Sequence, residues 1–202
     1  EAWADVSASP SGRFVAWNGG DGKQPPVLYE TASHRRIQLQ TGGDFGTVVG
    51  YSPDESEVSV RVGDEILIAS TETGVVRVKL PVAADAAFAR AYWGPGGSIA
   101  VPATGARGQE SFGMAVWWHD TLKQYPEIPP VNWAGWSPDS NQLVGSSGGD
   151  FGWTVLIDLR TDELFRIDQS LYNPRWSESG EYWEGQLLSG EVLIFRADGK
   201  PH

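Results

Sequence analysis

Chemistry needs nucleophiles, acids, bases or metal ligands held close together, and this chain supplies them sparsely. It has no cysteine, and its three histidines, His34, His119 and His202, are scattered. Without cysteine, thiol catalysis, a disulfide framework and thiolate zinc sites are excluded. No Gly-x-Ser-x-Gly elbow is present to present a serine nucleophile. The nearest calcium-like loop, Gly19-Gly20-Asp21-Gly22, brings too few oxygen ligands by itself, so no metal or cofactor is expected. What the chain does offer is one string used twice, Gly42-Gly43-Asp44-Phe45-Gly46 and Gly148-Gly149-Asp150-Phe151-Gly152. With Asp21 and Trp153, these acids and rings can form a rim around a shallow ligand pocket. The same composition also makes a packed Ω-type turn.

Bulk charge narrows the partners. Fifteen Lys and Arg stand against 26 Asp and Glu, a formal net charge of −11 spread along the chain. Nucleic-acid binding rests on cationic side chains that neutralise phosphates, so no nucleic acid is expected, nor an anionic membrane surface. The charge reads as solubility. No apolar run approaches the roughly 18 residues of a spanning helix, so no direct membrane insertion is expected of this segment.

The elements that must position any site are set by a repeat. Its clearest copy is Ala134-Gly135-Trp136-Ser137-Pro138-Asp139-Ser140, followed by the apolar run Gln142-Leu143-Val144. Related turns centre on Pro10, Pro53, Pro95 and Glu178, so with Pro138 the steps are 43, 42, 43 and 40 residues. A period in this range marks a propeller or a solenoid. Each unit reads as four short β-branched or aromatic runs bounded by Gly, Pro, Asn, Asp and Ser, here labelled strands A to D. No segment carries a helical period. The fold expected is all-β: a five-bladed β-propeller of four-stranded antiparallel blades, in which either the last blade has three strands or the chain is a fragment of a longer protein. The blades fall at about 4–41, 47–82, 89–129, 132–169 and 172–200 of a single domain, 1–202. In unit three, Met114–His119 reads as strand C, with a weak strand D near Gln124–Ile128. The residue two before each anchor is Ala8, Tyr51, Trp93, Trp136 or Trp176, and a large ring there is expected to pack between neighbouring blades.

These turns carry a resemblance. Trp136-Ser137-Pro138-Asp139-Ser140 is similar to the apolar-Trp-Ser-Pro-Asp-Gly turn of TolB-like and other WD-like bacterial propeller repeats. Leu156-Ile157-Asp158-Leu159 and the run from Leu67 to Thr73-Gly74 are similar to their third strand and the turn after it. Glu178 replaces the proline in unit five, Gly96-Gly97 replaces Asp-Gly in unit three, and the Gly-His and Trp-Asp signatures of true WD repeats are missing. The resemblance implies a propeller over nearly the whole chain and says little about function.

In a propeller the residues five before each anchor, Asp5, Val48, Arg90, Trp133 and Asn173, fall near the mouth of the central channel. Asp, Arg, Asn and Trp converging there would suit a small molecule or a glycan. A glycosidase needs two separated carboxylates at that mouth, and only Asp5 stands at these positions, so no catalytic residue is assigned. The candidate ligand-binding residues are thus Asp5, Arg90, Trp133 and Asn173, with Asp44, Phe45, Asp150, Phe151 and Trp153 on the loops. Long loops at 19–26, 42–46, 103–113 and 146–152 would share one face. The function expected is a non-catalytic protein-interaction module using that face, an extracytoplasmic sensor or scaffold domain of a bacterial protein. The alternative is a carbohydrate-binding or carbohydrate-active propeller.

Overall fold

The strands form where β-branched and aromatic runs lie between turn-forming residues. The computed structural model describes residues 6–17, 24–43, 45–81, 91–104, 112–128, 131–147 and 152–202. The first sheet has β1 (Val6–Ala8), β2 (Phe14–Trp17), β3 (Val27–Glu30) and β4 (Arg35–Gln38). The second has β5 (Thr47–Tyr51), β6 (Glu57–Val62), β7 (Glu65–Ser70) and β8 (Val76–Pro81). The third has β9 (Tyr92–Trp93), β10 (Ile99–Thr104), β11 (Phe112–Trp118) and β12 (Thr121–Tyr125). The fourth has β13 (Trp133–Trp136), β14 (Gln142–Ser146), β15 (Thr154–Asp158) and β16 (Glu163–Ile167). The fifth has β17 (Tyr172–Trp176), β18 (Tyr182–Gln186) and β19 (Val192–Arg196). Within every sheet the strands lie in chain order. The chain divides into two compact units, Glu1–Trp93 and Gly94–His202. Among the described residues there is no α-helix, only a 3₁₀ turn at Pro95–Gly97.

Two details differ from the sequence reading. His119 is not on a strand: His119 and Asp120 have φ of 45° and 59° and form the two-residue turn between Trp118 and Thr121. Positive φ at both central residues matches the strand twist of a tight hairpin. Strand D of unit three therefore begins at Thr121, earlier than the expected Gln124.

The recurring turn owes its shape to its serine. Ser9, Ser52, Ser137 and Ser177 each accept, on the side-chain oxygen, the N–H of the residue five further on, at 3.0, 2.9, 2.9 and 3.2 Å. Each also donates its own N–H to that residue's carbonyl. The fourth turn residue, Gly12, Glu55, Ser140 or Gly180, sits at φ of 76°, 58°, 57° or 72°. This left-handed conformation favours glycine. Where the chain puts Glu55 and Ser140 there instead, each side chain reaches the preceding turn. Glu55 accepts from the N–H and the hydroxyl of Ser11, both at 2.6 Å, and Ser140 donates to the Pro95 carbonyl at 2.6 Å.

The rings two residues before the anchors pack as expected, each on the preceding sheet. The Tyr51 hydroxyl donates to the Ser7 carbonyl at 3.3 Å, and Trp93 Nε1 to Ser59 Oγ at 3.2 Å beside Gly50. The Trp136 ring lies so close to Gly94 that a Cβ there would fall 2.6 Å from it. Trp176 Nε1 donates to the Gly135 carbonyl at 3.1 Å. A third set of contacts joins the outer edges, where a C-to-D turn meets strand D of the sheet before it. Gln40 donates its N–H to the Gly74 carbonyl at 2.8 Å, Lys123 and Tyr125 both reach Asp162 at 2.7 Å, and Gly199 lies against the Phe165 ring.

Between the sheets lie apolar layers. In the first unit Phe14, Leu28 and Ile37 pack against Val58, Val60 and Tyr51. In the second, Val144 and Leu156 meet Trp183 and Phe195, whose rings stack at 4.4 Å and 14°. Trp183 is 1% exposed. Its truncation to Ala should therefore destabilise the second unit by about 3–5 kcal/mol. Trp136 is only half-buried, and Trp136→Ala should cost about 2 kcal/mol. Denaturant melts of the two variants check the order.

The hydrogen bonds from Ser11 hold the Glu55 carboxyl below its usual value against the opposing effect of burial. A lowered folded value means stability that is present above the unfolded carboxylate range and lost as pH falls through the folded value. The stability gap between wild type and Glu55→Gln should thus be full at neutral pH and close under acid. Melts from pH 7 to pH 2 measure it.

Candidate functional site

Loop ends that would shape a site are fixed by backbone chemistry. In the first unit, Gly42 and Gly43 have φ of 81° and 92° and turn the chain after β4. Gly46 lies flat on β6, where a Cβ would come within 2.7 Å of Val60 Cγ1. Phe45, held between them, is 45% exposed. The Phe45 ring thus faces solvent beside Gly46, which is packed on β6.

In the second unit, the strand B-to-C loop of the fourth sheet closes through Ser147. Its side chain accepts the Trp153 N–H at 3.1 Å, and its own N–H donates to the Trp153 carbonyl at 3.1 Å. Trp153 is buried, 8% exposed. Beneath it, Thr154 Oγ1 donates to the Gln169 carbonyl at 2.8 Å, and the Leu171 N–H is shared by Ser146 Oγ and Thr154 Oγ1 at 3.2 Å each. This network fixes the connection from β16 to β17.

Beside that connection runs an open groove of about 350 Å³, walled by Gly152, Asp168, Ser170, Tyr172, Leu187 and Leu188. Leu188 stands on its lip at 71% exposure. The Tyr172 ring meets Trp133 edge to face at 6.3 Å and 62°. Ser170 Oγ is buried and has no hydrogen-bond partner. Asp168 is the one carboxylate among the described lining residues, and it pairs with Arg166 at 2.8 Å. Two apolar side chains, a tyrosine ring and scattered amides and hydroxyls suit contact with a polypeptide surface. The described walls do not make the pair of separated carboxylates that glycoside hydrolysis needs.

Of the residues expected to form a site, Trp133 is half-buried on Tyr172, and Asn173, next in the chain, is exposed at φ 49° in a β-bulge. Tyr172 was missed from sequence because it lies one position off the repeat register. The bulge between Tyr172 and Arg175 is what shifts it. Asp5, Asp21, Asp44, Arg90, Asp150 and Phe151 lie outside the described residues, as do most of the loop positions 103–113.

The comparisons with known proteins agree on architecture. No known protein-family model matches the chain. Over 155 residues it is 21% identical to the Intraflagellar transport protein 122 homolog of Danio rerio, covering 75% of this chain and 12% of that protein. Among solved structures it superposes on Kuenenia stuttgartiensis hydrazine synthase with a TM-score of 0.58 at 12% identity, over 96% of this chain and 64% of that one. It superposes on the Myceliophteria thermophila Cps50 (Swd1) β-propeller domain with a TM-score of 0.57 at 13% identity, over 96% and 64%. For the Dos1 propeller the values are 0.58, 14%, 98% and 57%. The chain thus spans less than two thirds of each of these proteins. The fold is that of an all-β propeller with five antiparallel sheets, as the repeat led one to expect, and the last is three-stranded.

Ser147→Ala removes the side-chain acceptor of the Trp153 N–H. It should accelerate amide exchange at Trp153 and lower stability by about 1 kcal/mol. Hydrogen-exchange NMR and a melt read both effects.

Proposed function

We propose that this chain is a non-catalytic protein-interaction module that engages its partner through the loop-bearing ends of its sheets. The observation that carries the reading is the groove beside the β16-to-β17 connection, with Leu188 exposed and Tyr172 half-buried on a hydrogen-bonded frame. Apolar and tyrosine side chains on rigid supports give contact area at small entropic cost. The likeness to propellers of the Swd1 and Dos1 kind and to a zebrafish protein named for intraflagellar transport supports a scaffold role. The finer reading is a TolB-like, extracytoplasmic domain of a bacterial protein, serving as sensor or scaffold. The absence of cysteine and the turn sequence around Pro138 support it.

The test is site-specific photo-crosslinking in the source cell. A crosslinker at position 188 should capture a defined protein, while one at Glu181, on a turn at the other end of β18, should not. Equal capture at both positions, or binding of an oligosaccharide that Leu188→Asp abolishes, would overturn the reading, the second outcome in favour of a carbohydrate-binding propeller.

A further inference from the structure

A hairpin in this fold needs no apolar tip. The β6-to-β7 hairpin turns through two residues, Gly63 and Asp64, between the paired Val62 and Glu65. The corresponding hairpin of the fifth sheet, β18 to β19, uses five, Leu187 to Glu191, between Gln186 and Val192. The longer loop is held by its own hydrogen bonds. Leu187 donates its N–H to the Glu191 carbonyl at 2.8 Å, and Gly190, at φ 90°, donates to the Leu187 carbonyl at 2.9 Å. Gln186 Nε2 adds a bond to the Gly190 carbonyl at 3.3 Å. In this frame Leu187 is half-buried on the apolar layer, while Leu188 stands at 71% exposure, the highest among the described large apolar side chains. An ordered loop offers such a side chain to a partner at small entropic cost.

The strands beneath are equally fixed. Leu171 fills the space that Gly185 leaves open, where a Cβ would fall 2.7 Å from Leu171 Cβ. Leu171 is fully buried, so its chain neighbours Ser170 and Tyr172 are held in place as wall of the groove.

Charge in the groove is of one sign. Its described walls hold Asp168 and no lysine, arginine or histidine. Asp168 pairs with Arg166, but the two side chains are 84% and 67% exposed, and a surface pair of this kind holds loosely. Glu191, which closes the hairpin loop, is exposed and has no ion pair among the described residues. The chain as a whole carries a formal charge of −11. A cationic partner is thus favoured both on approach and at contact.

We infer that the groove takes an apolar side chain flanked by lysine or arginine from its polypeptide partner. The apolar group packs on Leu188 and the Tyr172 ring, and the cations meet Glu191 and Asp168. This rests on the reading of the groove as a partner site and adds the chemistry of the partner.

Fluorescence anisotropy with the whole chain and three labelled nonapeptides tests it. One peptide has a central leucine between two lysines, one has glutamates in place of the lysines, and one has alanine in place of the leucine. The lysine–leucine peptide should bind at least ~10-fold more tightly than either of the others. Glu191→Lys should remove most of its advantage over the glutamate peptide. Leu188→Asp separates the contact from simple charge attraction. It makes the chain more acidic, yet it should weaken the lysine–leucine peptide at least ~10-fold. Equal binding of the two leucine peptides, tighter binding to Leu188→Asp, or no binding of any peptide would overturn the inference. A glutamate–leucine peptide that binds more tightly and is lost with Leu188→Asp would overturn it alone and leave the groove a partner site. Absence of peptide binding together with equal crosslinking at positions 188 and 181 would remove both.

Discussion

A short antiparallel sheet with apolar side chains on both faces cannot bury either one alone, so each sheet here is stable only through its neighbours. That constraint fixes which residues the repeat can vary. Phe14, Leu28, Val58 and Val60 are buried because two sheets meet face to face in the first unit. Trp183 and Phe195 are buried against Val144 and Leu156 for the same reason in the second. Removing one sheet would expose the face of the next, and the local strand propensities would not compensate, since short isolated strands are marginal in water.

Three kinds of contact recur between consecutive sheets within each unit. An aromatic ring reaches the innermost strand, the left-handed turn residue reaches the previous turn, and a C-to-D turn reaches the outer strand. Substitutions within the repeat are tolerated where the contact is rebuilt by other atoms. Glu55 and Ser140 take a backbone conformation suited to glycine, and each gains a hydrogen bond to the preceding turn in exchange. Asp162 does at the outer edge, with Lys123 and Tyr125, what Gly74 and Gly199 do by close approach. Function is left to surfaces that this packing does not consume, namely the loop ends.

The repeat was legible because its chemistry is local. A serine that caps a five-residue turn, a proline that fixes φ, and a ring two residues earlier all act within one hairpin, so spacing alone revealed the sheets and the packing role of Tyr51, Trp93 and Trp176. The three strands of the fifth sheet were one of two outcomes that the same count left open. What spacing cannot show is register within a strand. The bulge after Tyr172 shifts that ring onto Trp133, and the paired positive φ of His119 and Asp120 turns the chain where the apolar run suggested a continuing strand.

The sequence by itself therefore determined the class of fold, the number of sheets, the absence of thiol chemistry and the acidic surface, since each depends on composition or on neighbours along the chain. Only the tertiary structure decided which side chains remain available. Trp153, expected on a ligand-binding rim, is buried at 8% exposure, whereas Leu188, which no motif marks out, stands at 71%. Val60 and Trp17 occupy the same place in the repeat, yet one is sealed and the other open. The reason is physical: exposure is set by what packs from distant parts of the chain, and a repeating sequence carries the same local signal whether or not that neighbour is present.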